Sequence, residues 1–332
     1  MNKLMTVVAA SVCAVSFSGS AFADADLSAD GKKVTAEEAE ALEEEDAKMF
    51  EAGVDLEFYS AYVWRSAVQT DRPVIEPCIW GDFTYFDPFW IGFYVWQNWD
   101  LTDRRRECLR NGLTENDYNV HIGATAWQSD DESMSLDVEI GHEWYDNFGV
   151  RSDSRSAYAT TRELYAKVTF NNEIVNVYGQ VSWMYDDFGD YKNGFYYELG
   201  LNREFDVLSP FELPEDTLLL GLDWNLNFGD GRYLYFLYGG TSSGVYDHED
   251  GEDPYDDYAS NPSAGFGGTT VKAYLTWNIT DWAALVGTVA YTGVLNDSVR
   301  DSLDEQGTDV GWGGDRYHRD FFWWGVSLKF AF

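Results

Sequence analysis

Apolar and polar residues alternate along most of this chain with a period of two. The alternation is clearest at 322–332, where every even-numbered position is apolar, and it recurs at 54–64, 136–141 and 218–227. Successive side chains of a β-strand point to opposite faces, so each segment predicts a strand with one apolar and one polar face. The repetition of this pattern predicts an all-β fold.

The length of these segments favours a membrane barrel over a soluble sheet sandwich, in which strands also have one apolar face. The segments run for about 10 to 13 residues, whereas soluble strands usually have ~5–6 and a tilted membrane crossing needs about 9–11. Aromatic residues gather near segment ends, at 83–90 and at Trp277 and Trp282, where the girdles of a barrel lie. We therefore predict a transmembrane antiparallel up-and-down β-barrel over 51–332.

The connections between the segments predict twelve strands, with both ends of the barrel in the periplasm. Short turns lie at 87–88, 129–131, 171–173 and 280–281, with a longer connection at 206–216. The outer loops are then at 66–73, 100–115, 146–160, 186–193, 229–268 and 294–320. Counting the aromatic run at 232–240 as a thirteenth strand would leave the acidic 241–268 segment in the periplasm. We therefore predict that this run is a hairpin extension above the membrane.

The first 50 residues differ from the rest of the chain. Residues 1–23 combine Lys3, an apolar stretch and a final Ala21-Phe22-Ala23, and together predict a signal peptide. The segment 24–50 is rich in Ala and Glu and predicts an acidic periplasmic helix or tail. Export and a barrel together predict a protein of the outer membrane of a Gram-negative-type bacterium, in contact with lipid and lipopolysaccharide.

The composition agrees with a barrel whose two faces differ in character. The chain has 58 Asp and Glu against 22 Lys and Arg, a formal charge of −36, and also 22 Tyr, 21 Phe and 14 Trp. This charge excludes nucleic acid as a partner, because phosphate binding needs a basic face. In a barrel, the aromatic residues face lipid and the charged residues face a water-filled lumen.

The polar faces of the strands predict the lining of this lumen. The inward acidic positions are Asp55, Glu57, Glu76, Asp82, Asp137, Glu139, Glu143, Glu163, Glu198, Glu204 and Asp223. The inward basic positions are Arg65, Lys167, Lys272 and Lys329. This excess of acids predicts a pore that prefers cations. The alternative is that these side chains form a salt-bridged, hydrated filling of the lumen. Barrels of about 8 strands are filled and those of about 16 have an open channel, and twelve strands lie between these sizes.

One motif at the end of the first predicted strand is similar to a known family. Residues 60–66 read Ser-Ala-Tyr-Val-Trp-Arg-Ser, and Gln69-Thr70-Asp71-Arg72-Pro73 follow. This resembles the opening signature of the TorF-type porins. In that signature a Gly usually stands at the position that Ser66 occupies here. The resemblance implies a narrow outer-membrane barrel with a transport function. The final strand ending at Phe332 also resembles the signal that the outer-membrane barrel assembly machinery reads.

Candidate catalytic and metal-binding residues are few. The four histidines, at 121, 142, 248 and 318, form neither an HExxH motif nor a Cys/His cluster of metal spacing. His142 precedes Glu143 and Trp144 and is interpreted as a belt or rim residue. We predict no enzyme activity and no cofactor. The acidic loop residues Asp247, Glu249, Asp250, Glu252 and Asp253 either are solvated or loosely bind Ca²⁺ or Mg²⁺ that bridges to lipopolysaccharide.

Two cysteines remain after removal of the predicted signal peptide. Cys78 falls on an inward position of the second strand, and Cys108 falls on the outer loop 100–115. A disulfide between them would fold that loop inward and carry Arg104, Arg105 and Arg106 into a constriction. The alternative is two independent thiols, since pairing is not determined by sequence.

These observations predict an outer-membrane, porin-like channel for passive diffusion of small hydrophilic solutes, with a preference for cations. A second hypothesis is a non-conducting structural barrel whose acidic loops bind divalent cations or partners. A soluble secreted sheet protein is a third.

Overall fold

Twelve strands form a closed antiparallel barrel in which the last strand pairs with the first. The computed structural model describes residues 50–86, 88–102, 112–148, 158–186, 194–208, 217–234, 237, 264–297, 299–300 and 319–332. The barrel strands are β1 (Phe50–Tyr59), β4 (Val74–Phe86), β5 (Phe89–Asp100), β6 (Leu113–Gln128), β7 (Met134–Phe148), β8 (Tyr158–Asn172), β9 (Asn176–Asp186), β10 (Gly194–Asp206), β11 (Leu218–Gly229), β12 (Gly265–Thr280), β13 (Ala283–Val294) and β14 (Asp320–Ala331). The predicted fold class and strand number are confirmed. The predicted signal peptide and nearly all of the acidic segment lie outside the described residues.

The barrel closes through the two ends of the strand series. β1 and β14 pair from Gly53 with Ala331 to Tyr59 with Gly325. Beyond this ladder, the Phe332 amide donates to the Ala52 carbonyl at 2.8 Å, and the Ala52 amide donates to the Phe332 carbonyl at 3.2 Å. Closure pairs both outer strands and so leaves no open sheet edge, which is the condition for a sheet in hydrocarbon.

The outer face of the barrel is apolar and exposed. Ile122, Ile140, Leu199 and Val289 each expose between 54% and 61% of their surface. Soluble monomers rarely carry an apolar surface that continues around the whole molecule, whereas a bilayer requires one. No helix among the described residues is long and apolar enough to cross a bilayer.

The turns at one end of the barrel are short, as predicted. Phe86 pairs with Phe89 across the first of them, and β12 and β13 are joined by residues 281–282. In the turn between β6 and β7, the hydroxyls of Ser129 and Ser133 donate to Asp131 at 2.7 and 2.8 Å. These hydrogen bonds lower the pKa of the exposed Asp131 carboxyl, so the carboxylate that stabilises the turn is favoured.

The connection from β1 to β4 differs from the predicted outer loop at 66–73. After Tyr59 the chain forms two further short strands, β2 (Tyr62–Trp64) and β3 (Ala67–Thr70), which pair only with each other. We call this pair and its turn the lumen hairpin. Ala67 and Val68 in the hairpin, and Ala61 just before it, expose no more than 3% of their surface, so the hairpin is packed on several sides.

The contacts of the lumen hairpin place it inside the barrel. The ring of Tyr62 lies 5.5 Å from that of Trp96 on β5. The hairpin tip reaches Glu163 on β8, at 2.7 Å, and Thr270 on β12, at 2.8 Å. Because these strands lie on different sides of the barrel, the hairpin crosses the lumen. Arg65, predicted on the barrel wall, lies instead at the tip of this hairpin.

The segment 231–234 also differs from its predicted hairpin extension. Gly231–Leu234 form a single helical turn, α1, after β11. Asp230 caps this turn, because its carboxylate accepts a hydrogen bond from the Tyr233 amide at 2.8 Å. Tyr233, Leu234 and Leu237 are buried in an apolar cluster within the barrel mouth, so these apolar side chains pack inward. Of the run at 232–240, residues 235–236 and 238–240 lie outside the described ones. The cluster comprises Ala67, Met184, Tyr196, Tyr233, Leu234, Leu237, Val294 and Val299.

Candidate functional site

The tip of the lumen hairpin is a tight two-residue turn. Arg65 and Ser66 have φ angles of 50° and 65°, and Trp64 pairs with Ala67 across them. Left-handed conformations cost a non-glycine residue roughly 1–2 kcal/mol. The wall offsets this cost, because the Asn227 side chain donates to the Arg65 carbonyl at 2.8 Å and Ser66 Oγ lies 2.8 Å from Thr270 Oγ1. The Ser66 hydroxyl therefore adds an anchor to the wall.

The Arg65 guanidinium joins the hairpin tip to the opposite wall. Its two terminal nitrogens donate to the two carboxylate oxygens of Glu163, each at 2.7 Å, and it also donates to the Tyr233 hydroxyl. Burial disfavours the charged guanidinium, but the Glu163 carboxylate, followed by Tyr145, outweighs burial, so the pKa of Arg65 lies well above its usual range. Arg65 therefore remains a fixed positive charge inside the lumen.

Aromatic rings complete the surroundings of Arg65. The guanidinium carbon lies 4.5 Å from the ring centroid of Trp64 and 4.2 Å from that of Tyr196. Both distances are within the range of cation–π attraction. The tip is thus bound by a bidentate ion pair, by ring faces and by two backbone or hydroxyl hydrogen bonds.

Tyrosine hydroxyls bind several of the remaining inward carboxylates. Tyr94 and Tyr145 both donate to Glu143. Two further tyrosines, Tyr178 at 2.7 Å and Tyr196, donate to Glu198, and Tyr165 donates to Glu139 at 2.8 Å. These donors are neutral, so the carboxylates are solvated by the protein while their negative charge is not cancelled.

Cross-strand glycines hold two of these tyrosines against the wall. Tyr165 lies over Gly141, where an added Cβ would come within 2.3 Å of the ring, and Tyr178 lies over Gly200, where the distance would be 2.1 Å. Only glycine leaves room for a ring that lies flat on the neighbouring strand. The rings thereby reach Glu139 and Glu198, two residues along each facing strand.

A cavity of about 330 Å³ lies beside the hairpin tip. Its walls come from the hairpin and from strands β5 to β10. The lining residues are Trp64, Arg65, Tyr94, Asn119, His121, Glu139, Glu143, Tyr145, Tyr165, Lys167, Gln180, Tyr196 and Glu198. The cavity is therefore polar and aromatic, with carboxylates on its walls.

The strand register places the predicted lumen residues, apart from Arg65, on one face. In chain order, these are Asp55, Glu57, Glu76, Asp82, Asp137, Glu139, Glu143, Glu163, Lys167, Glu198, Glu204, Asp223, Lys272 and Lys329. Some face an opposite charge, such as Lys329 and Asp55, which are 3.9 Å apart. Others accept neutral donors, as Asp137 does from Asn171 at 2.6 Å. The role of this set in lining a pore stays a prediction.

Other predicted site residues lie outside the described residues or are placed differently. Arg104, Arg105, Arg106 and Cys108 are outside the described part of the chain, and so are Asp247, Glu249, Asp250, Glu252 and Asp253. Cys78 is a half-buried thiol on β4, and because Cys108 lies outside the described residues the disulfide stays a prediction. Within the described residues, the element that narrows the lumen is the lumen hairpin.

Sequence reasoning missed an inward polar row on β6. Glu115, Asp117 and Asn119 are buried, and His121 next in the row lies 3.1 Å from Asp82. The period of two at these positions was a usable signal, but the predicted outer loop 100–115 ended within the strand. β6 begins at Leu113.

The structure places His142 and shows how the potential metal-ligating side chains of the described residues are arranged. His142 contacts Trp144, with 3.7 Å between ring centroids, and pairs in register with the outward residues Val120 and Leu164. It therefore lies on the outer face, as expected for a belt residue. No group of three or more His, Cys, Asp or Glu side chains within the described ranges is placed to hold a metal ion.

Similar solved structures are outer-membrane barrels. Outer membrane phospholipase A from Escherichia coli is 12% identical, with a TM-score of 0.41, over 84% of this chain and 95% of that one. The KdgM porin is 9% identical, with a TM-score of 0.39, over 85% and 99%. The translocator domain of the autotransporter NalP from Neisseria meningitidis is 7% identical, with a TM-score of 0.41, over 90% and 99%.

No protein-family model matches the chain, and no curated protein sequence matches it. At these TM-scores and identities, no activity is transferred from the three structures to this chain.

Proposed function

We propose that this protein is an outer-membrane channel for small hydrophilic solutes, with a preference for cations. The observation that carries the proposal is the polar cavity beside the hairpin tip, bordered by carboxylates whose hydrogen-bond donors are uncharged tyrosines. A closed barrel with an apolar exterior and a polar cavity can hold water and hydrophilic solutes in its interior. The lumen hairpin would set the width of the path.

The charge of the lumen supports the preference for cations. The inward acids outnumber the inward bases along the described strands. In a narrow lumen with low-dielectric walls, such an excess raises the local concentration of cations and repels anions. The Tyr-bound carboxylates matter most, since Glu139 and Glu198 make no ion pair within 4 Å among the described residues.

Ion selectivity in planar bilayers tests this proposal. In a salt gradient across a membrane containing the purified protein, the reversal potential should have the sign expected when cations carry most of the current. Exchanging both Glu139 and Glu198 for Gln should move that potential toward zero. The matched control is Glu173→Gln, which neutralises an exposed carboxylate in the β8–β9 turn. A potential on the anion side, or an equal shift in the control, would contradict the proposal.

A second candidate function is a non-conducting structural barrel. It is favoured by the lumen hairpin and the apolar cluster, which occupy the barrel mouth together. Such a barrel would act through its outer acidic loops, by binding Ca²⁺ or Mg²⁺, lipopolysaccharide or a partner. Absence of conductance from both the native protein and a hairpin-deleted variant would favour this second function.

The proposed location follows from the apolar exterior and the paired final strand. We propose that the C-terminal strand ending at Phe332 is recognised by the barrel assembly machinery, as its sequence suggests. Fractionation of cells together with heat-modifiable migration of the unboiled protein tests the location. Recovery in the soluble fraction would contradict it.

A further inference from the structure

Two of the protein's own organic cations lie against ring faces in this part of the lumen. The Arg65 guanidinium is held by Glu163 and by the faces of Trp64 and Tyr196. Lys167 Nζ lies 5.3 Å from the ring centroid of Tyr178. A guanidinium and an ammonium group therefore both lie beside aromatic rings on walls that also carry carboxylates. The walls have the two features, ring faces and carboxylates, that attract an organic cation.

The charge around the cavity exceeds what these two cations neutralise. The carboxylates are Glu139, Glu143 and Glu198 on its walls and Glu163 behind Arg65, four against the two bases Arg65 and Lys167. Glu163 is matched by Arg65 at 2.7 Å. Within the described part of the chain, Lys167 makes no ion pair within 4 Å, so it leaves its acidic neighbours largely unmatched.

The tyrosine hydroxyls of the wall are already used as hydrogen-bond donors. The hydroxyls of Tyr94, Tyr145, Tyr165 and Tyr178 already donate to carboxylates. These groups therefore offer their ring faces and the adjacent negative charge rather than further donors. A volume of about 330 Å³ holds a small organic molecule, since one water occupies about 30 Å³ in the liquid.

We propose that this cavity binds compact organic cations that carry a guanidinium or ammonium group. The inference names a solute class for the channel and in that respect rests on the proposed function. The cation would lie between the tyrosine faces and Glu139 and Glu198, and it would compete with Lys167 for the negative charge. No bond is formed or broken.

Binding to matched ligands tests the proposal without requiring conductance. The probes are butylguanidinium, its neutral isostere butylurea, and butyrate, each titrated calorimetrically into the full-length protein in lipid nanodiscs. We expect saturable binding of butylguanidinium, at least tenfold weaker binding of butylurea, and no binding of butyrate. Equal binding of butylurea, or preferred binding of butyrate, would overturn the proposal.

Two substitutions of opposite sign sharpen the test. Glu198→Gln should weaken butylguanidinium binding roughly fivefold, and Lys167→Gln should strengthen it by about the same factor, since each removes one partly hydrated charge. Glu173→Gln, in the exposed β8–β9 turn, should change nothing. Weaker butylguanidinium binding in Lys167→Gln, in protein that still shows heat-modifiable migration, would overturn the proposal.

Conductance recorded on the same samples separates this inference from the proposed function. Binding without conductance would support the cation site and contradict the channel. If the protein conducts, butylguanidinium neither blocks the current nor carries it, and calorimetry detects no binding, the channel would be supported and the cation site overturned.

Discussion

Water reaches the ion pairs of this protein to very different extents. The side chains of Arg65 and Glu163 expose 9% and 0% of their surface, whereas those of Arg300 and Asp320, 3.5 Å apart, expose 32% and 49%. A buried charge that loses its partner keeps its desolvation cost, whereas an exposed pair contributes about 0–1 kcal/mol. The two pairs should therefore respond differently to the loss of the arginine.

Arg65→Ala should lower the free energy of unfolding by about 3 kcal/mol, because Glu163 would remain buried and unpaired. The double variant Arg65→Ala with Glu163→Ala should recover part of this loss. Arg300→Ala, the exposed control, should cost less than about 1 kcal/mol. Urea titrations of the barrel in lipid vesicles measure all three. Equal losses for Arg65→Ala and Arg300→Ala would show that the buried pair does not hold the hairpin.

Single residues on the barrel wall were predictable where the period of two was regular. Asp137 and Glu139 alternate with Leu136, Val138 and Ile140, so their inward orientation follows from the sequence. Their hydrogen-bond partners did not follow from it. Tyr165 reaches Glu139 only because β7 and β8 pair in a register that places Gly141 beneath its ring.

The lumen hairpin was not predictable as an element. Tyr62 and Trp64 continue the alternation of β1, so the period of two extends the first strand through them. The departure from the wall at Ser60 and Ala61 contains no Gly or Pro, and the tip Arg65-Ser66 lacks the Asn-Gly or Asp-Gly signal of a two-residue turn. The hairpin is stabilised by distant residues on β8, β11 and β12, which a local pattern does not report.

Removal of the lumen hairpin should widen the path through the barrel. Replacement of 62–70 with a short Gly-Ser linker would remove Arg65, Ser66 and the packing of Ala67, while the barrel strands keep their pairing. We expect a single-channel conductance several times that of the native protein.

The control for this experiment is replacement of Asp130 and Asp131, in the exposed β6–β7 turn, by Gly and Ser. That variant should conduct as the native protein does. If the hairpin-deleted barrel migrates as a folded barrel and its conductance is unchanged, the hairpin is not the constriction.

The barrel places the aromatic and the charged residues of the chain on opposite faces. The chain carries a formal charge of −36 and 57 aromatic residues, the sum of 22 Tyr, 21 Phe and 14 Trp. Outward positions such as Trp324 and Phe322 carry apolar rings, and inward positions such as Glu163 carry charge. Strand count and closure were predictable because the turns and loops alternate. The filled mouth of the barrel was not, because it depends on where the long connections pack.

A pair of neighbouring residues tests the environment of the whole barrel. Val289 and Thr288 are consecutive in the middle of β13, at the same depth and on opposite faces: Val289 exposes 61% of its surface outward, whereas Thr288 pairs with the inward Tyr274. In a bilayer, Val289→Lys should cost about 2–4 kcal/mol, the cost of a lysine near the midplane. Thr288→Lys should cost much less, because the lumen is polar and acidic. In a soluble protein the order would reverse, since an exposed lysine at 289 is nearly neutral in water. Urea titrations of both variants in lipid vesicles give the two free energies. A small cost for Val289→Lys would contradict insertion in a membrane.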